Sequence, residues 1–257
     1  MALIHFQTFG SDMHPPILLI HGLFGSGDNL KVLANGLSET HYVVCVDCRN
    51  HGHSFHSDAM AYDDMAKDIE ALVESLSIHP PTLIGHSMGG KIAMHVARRN
   101  KIPIKTMVII DIAPKAYAPH HQVILNALMN LNLNDYNTKS AVASALKPQI
   151  PNAPLRQFLV KSIRNNGGHL TWALNLAAIN ANYHDICNVP SHPTPCHTPA
   201  LFIQGTQSNY IEDTDHDIIK QQFPNATIHP IQASHWVHAD NPSETLATIK
   251  RYTESNQ

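Results

Sequence analysis

A parallel α/β sheet with helices on both faces, broken by one helical insertion, is the architecture this sequence predicts. Three observations predict it. Short apolar runs without polar alternation recur at Ile17–Ile20, Tyr42–Val46, Thr106–Ile110 and Ala200–Gln204, as in strands covered on both faces. Stretches with helical apolar spacing separate the runs from Ile17 to Ile110, giving the alternation of a parallel sheet. After Pro114 that alternation stops, and prolines 148, 151, 154, 190, 193, 195 and 199 punctuate a region of short helical pieces.

Leu3–Thr8 is a weak first strand. Ile17–Ile20 follows, then His21-Gly22-Leu23-Phe24-Gly25. Asn29–Ser38 reads as a helix because Leu30, Leu33, Ala34 and Leu37 fall on one face. Tyr42–Val46 is the next strand, followed by a polar loop, Asp47–Ala61, that carries Arg49, Asn50, His51, Gly52, His53 and Ser54. Tyr62–Ser77 is helical, with Met65, Ile69, Leu72, Val73 and Leu76 on one side. Pro81–Ile84 is a short strand that runs through Gly-His-Ser-Met-Gly into a helix, Met88–Arg99. Thr106–Ile110 leads straight into Asp111.

Between Ala116 and Thr198 no strand is expected. Helices are expected at Gln122–Leu131, Thr138–Leu146, Pro154–Arg164 and Leu174–Tyr183. The predicted organisation is thus 1–115 and 199–257 as one sheet domain, with 116–198 inserted over the strand ends. The sheet resumes at Ala200–Gln204. It continues through a helix at Ile218–Phe223, a strand at Ala226–Ile231, a loop at Ala233–His238 and a closing helix at Ser243–Tyr252, entered through Asn241-Pro242.

Composition excludes several classes. Lys+Arg 17 against Asp+Glu 20 gives a net charge of −3, too balanced for a nucleic-acid or anionic-membrane surface. No apolar run approaches the ~20 residues of a membrane span. The start, MALIHFQTFGSDMH, lacks a signal peptide's basic flank and long apolar core. A soluble, cytoplasmic protein is expected. Cys45 and Cys48 form a C-x-x-C at the end of a strand, where extended backbone holds them roughly 10 Å apart, too far to bridge. The 20 histidines are scattered without an H-E-x-x-H, so neither a metal nor any other cofactor is expected.

Gly85, Ser87 and Gly89 fit G-x-S-x-G, in which a serine is raised on a sharp strand-to-helix turn and bulky neighbours would collide. The plain alternative is a glycine-rich turn with an incidental serine, but the flanking strand and helix satisfy the motif's context. An alcohol needs a base to become nucleophilic. His235, late in the chain after the last strand, is the base candidate; His238 is its local rival, and spacing aims it elsewhere. His86 is expected to point away from the turn. Asp111, Asp213 and Asp215 are the candidate acids. Met88, following the serine, should supply one N–H of an oxyanion hole, and the loop after Ile17–Ile20 the other. Asp47 and Arg49 are expected to hold their loop together, and Lys91, one turn past Ser87, receives no catalytic role.

Taken in order, HGLFGSGDNL, RNHGHS, GHSMGGK, DIAP and HWVHA resemble the α/β-hydrolase superfamily over nearly the whole chain, and more narrowly the YbfF-type bacterial esterases. The resemblance implies an α/β-hydrolase fold with a small helical cap. It implies a serine esterase active on short acyl esters and on acyl-CoA thioesters, and Leu23 as the second oxyanion donor. Two departures stand out. Gln232-Ala233-Ser234 precedes the histidine where many relatives carry glycine, and Thr206-Gln207-Ser208-Asn209 occupies the usual place of the acid. For the second, the resemblance implies an acid moved to Asp111. A carbon–carbon bond hydrolase, a menaquinone-pathway lyase and a non-catalytic ligand receptor share this fold and remain alternatives. The expected partner is a small-molecule ester or thioester.

Overall fold

The computed structural model describes residues 2–188 and 194–256. Among these, seven strands form one sheet in the order β1-β3-β2-β4-β5-β8-β9. They are β1 (Phe6–Phe9), β2 (Pro16–Ile20), β3 (Tyr42–Val46), β4 (Thr82–His86), β5 (Thr106–Ile110), β8 (Ala200–Gly205) and β9 (Ala226–Ile231). All neighbouring pairs are parallel except β1 with β3. The apolar runs lack alternation because both faces are covered. Leu18, Val44, Leu83 and Ile109 join one core cluster, whereas their chain neighbours Leu19, Val43, Ile84 and Val108 join the other. Cys45 and Cys48 fall into opposite clusters as free thiols.

On the first face pack α2 (Tyr62–Leu76), α3 (Met88–Arg99) and α9 (His216–Gln222), through residues such as Ile69, Ile92 and Ile219. On the second pack α1 (Lys31–Leu37) and α11 (Pro242–Ser255), through Leu33, Leu37 and Ile249. The Asn241 side chain accepts from the Glu244 N–H and Pro242 opens α11, the start signal expected there. The loop Ala233–His238 ends in a short helix, α10 (Val237–Asp240).

Between β5 and β8 the chain adds no described strand to this sheet. It forms α4 (Gln122–Met129), α5 (Lys139–Ala145), α6 (Ala153–Lys161), α7 (Leu176–Ala181) and α8 (Tyr183–Cys187). The expectation of no strand here is corrected. β6 (Ile163–Asn166) and β7 (His169–Trp172) form an antiparallel hairpin, and the helix expected to reach Arg164 stops at Lys161. The reason is the turn. Gly167 and Gly168 both take positive φ, at 64° and 95°, and Asn166 pairs with His169 across them, which is a two-residue hairpin turn that suits glycine. Pro190 and Pro193 lie outside the described residues.

Candidate active site

Ser87 sits between β4 and α3 with φ 53° and ψ −118°, a conformation an L-residue holds only under constraint. The glycines explain how the turn closes. A Cβ on Gly85 would lie 2.2 Å from the Gly89 carbonyl oxygen, and a Cβ on Gly89 would lie 2.2 Å from that of Ile20. The second collision is with β2, so the motif also sets how closely α3 approaches the neighbouring strand. Ser87 ends up half-buried at the head of α3.

The loop after β2 is held to the loop after β3 by two buried histidines. The His21 Nδ1–H donates to the Gly22 carbonyl at 2.8 Å, and its Nε2 accepts from the Cys48 N–H at 3.0 Å. The His51 Nδ1–H donates to the Arg49 carbonyl at 2.9 Å, and its Nε2 accepts from the Phe24 N–H at 3.3 Å. An imidazole that accepts at one nitrogen must be neutral. Burial enforces this, lowering the pKa of His21 and bringing that of His51 down to about 3. Asp47 accepts from the Gly27 and His53 N–H groups at 2.7 and 2.8 Å, and Arg49 makes two hydrogen bonds to Asp68 at 2.6 and 2.8 Å. Both hold the loop, as expected. Thus braced, Leu23 and Met88 present backbone N–H groups with no protein acceptor among the described residues, and both residues line a cleft with Ser87.

At the ends of β5 and β9 the structure brings Asp111 and His235 together. The His235 Nδ1–H donates to Asp111 Oδ2 at 2.8 Å. Asp111 is fully buried, and its other contacts are the Gly205 N–H at 2.9 Å and the Ser208 hydroxyl at 2.5 Å. Asp213 is exposed, and Asp215 pairs with Lys115 at 2.6 Å. Neither touches His235. The stand-in segment Thr206–Asn209 therefore contributes a hydroxyl, Ser208, to the displaced carboxylate. Sequence reasoning gave Ser208 no role beyond its place in that segment. It also missed Tyr210, whose ring stacks on His235 with centroids 3.7 Å apart.

Two more histidines lie beside His235. The His86 ring is in contact with both His235 and His238, with centroids 4.7 Å away in each case, and its Nε2–H donates to the His235 carbonyl at 2.9 Å. Strand alternation is the cause: Gly85 faces α3, so the next residue on β4 faces the loop after β9. His238 is buried in the same wall, and burial brings its pKa down to about 4. Lys91 is buried as well. Its ammonium donates to the Cys187 and Asn188 carbonyls at 2.8 and 3.0 Å, and burial lowers its pKa to about 8. It ties the end of α8 to α3.

Two clefts meet at Ser87. One, of about 370 Å³, is lined by Leu23, Tyr62, Met88, Ile112 and Ile186 among others. The second, of about 540 Å³, is lined by Phe24, Leu155, Phe158, His235 and Trp236 among others. Among the described residues no group of three or more His, Cys, Asp or Glu side chains could hold a metal ion. Nor is any described helix long and apolar enough to cross a membrane.

Residues 15–161 match the family described as alpha/beta hydrolase fold. The chain is 38% identical over 239 residues to the esterase YbfF of Escherichia coli, covering 92% of each protein. It is 37% identical over 244 residues to a putative esterase/lipase of Haemophilus influenzae, covering 94% of this chain and 84% of that protein. A solved marine microorganism esterase superposes with a TM-score of 0.93 at 34% identity, over 97% of this chain and 98% of that one. A strained serine between strand and helix, reached by sheet-edge loops that carry a histidine–aspartate pair, agrees with that match. This chain belongs to the α/β hydrolase family.

Proposed function

We propose that this protein is a serine carboxylic-ester hydrolase that acts on short to medium acyl esters, with acyl-CoA thioesters open to the same chemistry. The observation that carries the reading is the pairing of His235 with the buried Asp111, with His235 facing a cleft shared with Ser87. In this mechanism Ser87 Oγ attacks the ester carbonyl while His235 Nε2 takes its proton. The imidazolium gains charge beside Asp111, which also holds the Nδ1–H tautomer. The Leu23 and Met88 N–H groups meet the negative charge that develops on the carbonyl oxygen. The tetrahedral intermediate collapses, His235 returns the proton to the leaving oxygen or sulfur, and an acyl-serine remains. Water repeats the sequence to release the acid.

Residues 116–198 act in this reading as a cap. The Tyr62 hydroxyl donates to the Ile186 carbonyl at 2.8 Å, and Lys91 holds the following two carbonyls. These bonds fix α8 over the first cleft, where Tyr62, Met88, Ile112 and Ile186 offer apolar surface to an acyl chain. A cytoplasmic site of action belongs to the same proposal; the four cysteines are free and buried, as a reducing compartment allows.

Release of nitrophenol from a nitrophenyl butyrate tests the reading. A stoichiometric burst followed by steady turnover is expected. Binding without turnover would favour the receptor alternative, and cleavage of a vinylogous diketone with inert esters would favour the carbon–carbon hydrolase.

A further inference from the structure

The two clefts share Leu23, Ser87 and His121 but differ in one respect that matters chemically: His235 lines only the second. Building on the ester-hydrolase reading, we propose that the acyl group occupies the first cleft and the alcohol the second. We further propose that Phe158 and Trp236 make the second cleft selective for planar, uncharged alcohols.

Proton transfer sets the direction. In acylation the bond from Ser87 Oγ to the carbonyl carbon forms, and the bond from that carbon to the alcohol oxygen breaks. The proton that leaves Oγ passes through His235 Nε2 to the departing oxygen, so that oxygen must lie beside His235. The carbonyl oxygen is turned toward the Leu23 and Met88 N–H groups. The substituent that stays on the carbonyl carbon is left with the cleft that Met88 lines and His235 does not.

The second cleft is built for a flat partner. Phe158 comes from α6 and Trp236 from the loop after β9, and their rings meet with centroids 5.7 Å apart at a 43° tilt. Both are half-buried, which leaves ring surface to the cleft. Among the described residues no Asp, Glu, Lys or Arg lines this cleft. Apart from His235, the histidines in its wall, His21, His86, His121 and His238, are biased toward the neutral form by burial. An uncharged ring gains offset or edge contacts there, whereas a charged alcohol finds no counter-charge.

The test compares benzyl and cyclohexylmethyl esters, which match in size and differ in planarity, each as butyrate and hexanoate. The parent enzyme should favour the benzyl ester in kcat/KM by about three- to tenfold, the range an added aromatic contact supports. Phe158→Ala should erase that preference and leave the hexanoate-to-butyrate ratio unchanged, and Phe158→Tyr should restore it. Ile186→Ala, which enlarges the first cleft, should raise the hexanoate-to-butyrate ratio and keep the benzyl preference; Ile186→Val serves if the alanine variant does not fold. Equal rates on the two alcohols in the parent, or the two variants exchanging effects, would overturn the assignment while leaving ester hydrolysis intact. A folded parent inert to all four esters would end both the assignment and the reading beneath it.

Discussion

The loops after β2 and β3 and the loop after β9 both place histidines at the same sheet edge, and the same ring is used there in opposite ways. His21 and His51 have both nitrogens occupied by backbone groups and are held neutral by burial. They act as rigid braces. His235 has one nitrogen on a buried carboxylate, a tyrosine ring against its face, and an Nε2 with no protein partner among the described residues. The partners differ: a carbonyl on one side and an amide on the other make a brace, whereas a carboxylate on one side and an open cleft on the other suit the base of the proposed mechanism. A count of 20 histidines therefore says nothing about which one reacts.

The sharpest way to break this contrast is to remove what His235 serves. Ser87→Ala should lower kcat by on the order of 10⁶, the loss seen in a serine triad, with an unchanged circular dichroism spectrum. Hydrolysis within tenfold of the parent would mean that the elbow is not the nucleophile's seat. Next in size is the carboxylate. Asp111→Asn should cost up to about 10⁴ in kcat, while Asp213→Asn and Asp215→Asn stay near the parent in the same assay. A large loss at 213 or 215 with little at 111 would return the acid to the segment after β8.

The brace side is tested by stability against pH. His51 is neutral in the folded protein down to about pH 3, but in the unfolded chain it takes up a proton near the ordinary value of about 6.5. The unfolded state thus binds more protons between these limits, so His51's contribution is intact above about pH 6.5 and is lost progressively as pH falls toward 3. His238, brought down to about 4, acts in the same direction. His51→Gln should therefore flatten the dependence of unfolding free energy on pH between pH 6 and pH 4, by up to about 1.4 kcal/mol per pH unit. Urea denaturation across that range measures it, and a slope equal to the parent's would refute the neutral-brace account. The smallest expected effect is at Ser208. Ser208→Ala removes one donor from Asp111 and should lower kcat about three- to tenfold, the worth of a hydrogen bond of about 1 kcal/mol. A loss as large as that of Asp111→Asn would give Ser208 a role in the chemistry itself.

The elements carried by local signals were legible. Strands β3, β5 and β9 and helix α3 fall where apolar runs and helical spacing place them. The hairpin β6–β7 was not, because its first strand, Ile-Arg-Asn-Asn, is polar and the helical spacing of Leu155, Phe158 and Leu159 runs on to Ile163. Asn166-Gly167-Gly168 was the readable signal, a hairpin turn that tertiary packing of Ile163 and Leu170 then stabilises. At the site, the contact of His86 with His235 and His238 had no signal, because the motif describes the serine's turn and not what packs on the opposite face of the strand before it.

By itself the sequence determined the elbow at Ser87. Its constraint is local: five residues that can turn only if glycine stands at 85 and 89. It also determined the alternation that stacks β2 to β5 in parallel and so brings the chain after each strand to one edge. For the acid, the sequence pointed to Asp111 through its place after a strand and through the family resemblance, whereas the tertiary structure decided its contact with His235, 124 residues away in the chain. It likewise decided that Ser208 supports that carboxylate, that Tyr210 covers the imidazole, and that Phe158 and Trp236 share a cleft. Each of these contacts joins separate elements, and their meeting depends on how the whole sheet and its insertion pack.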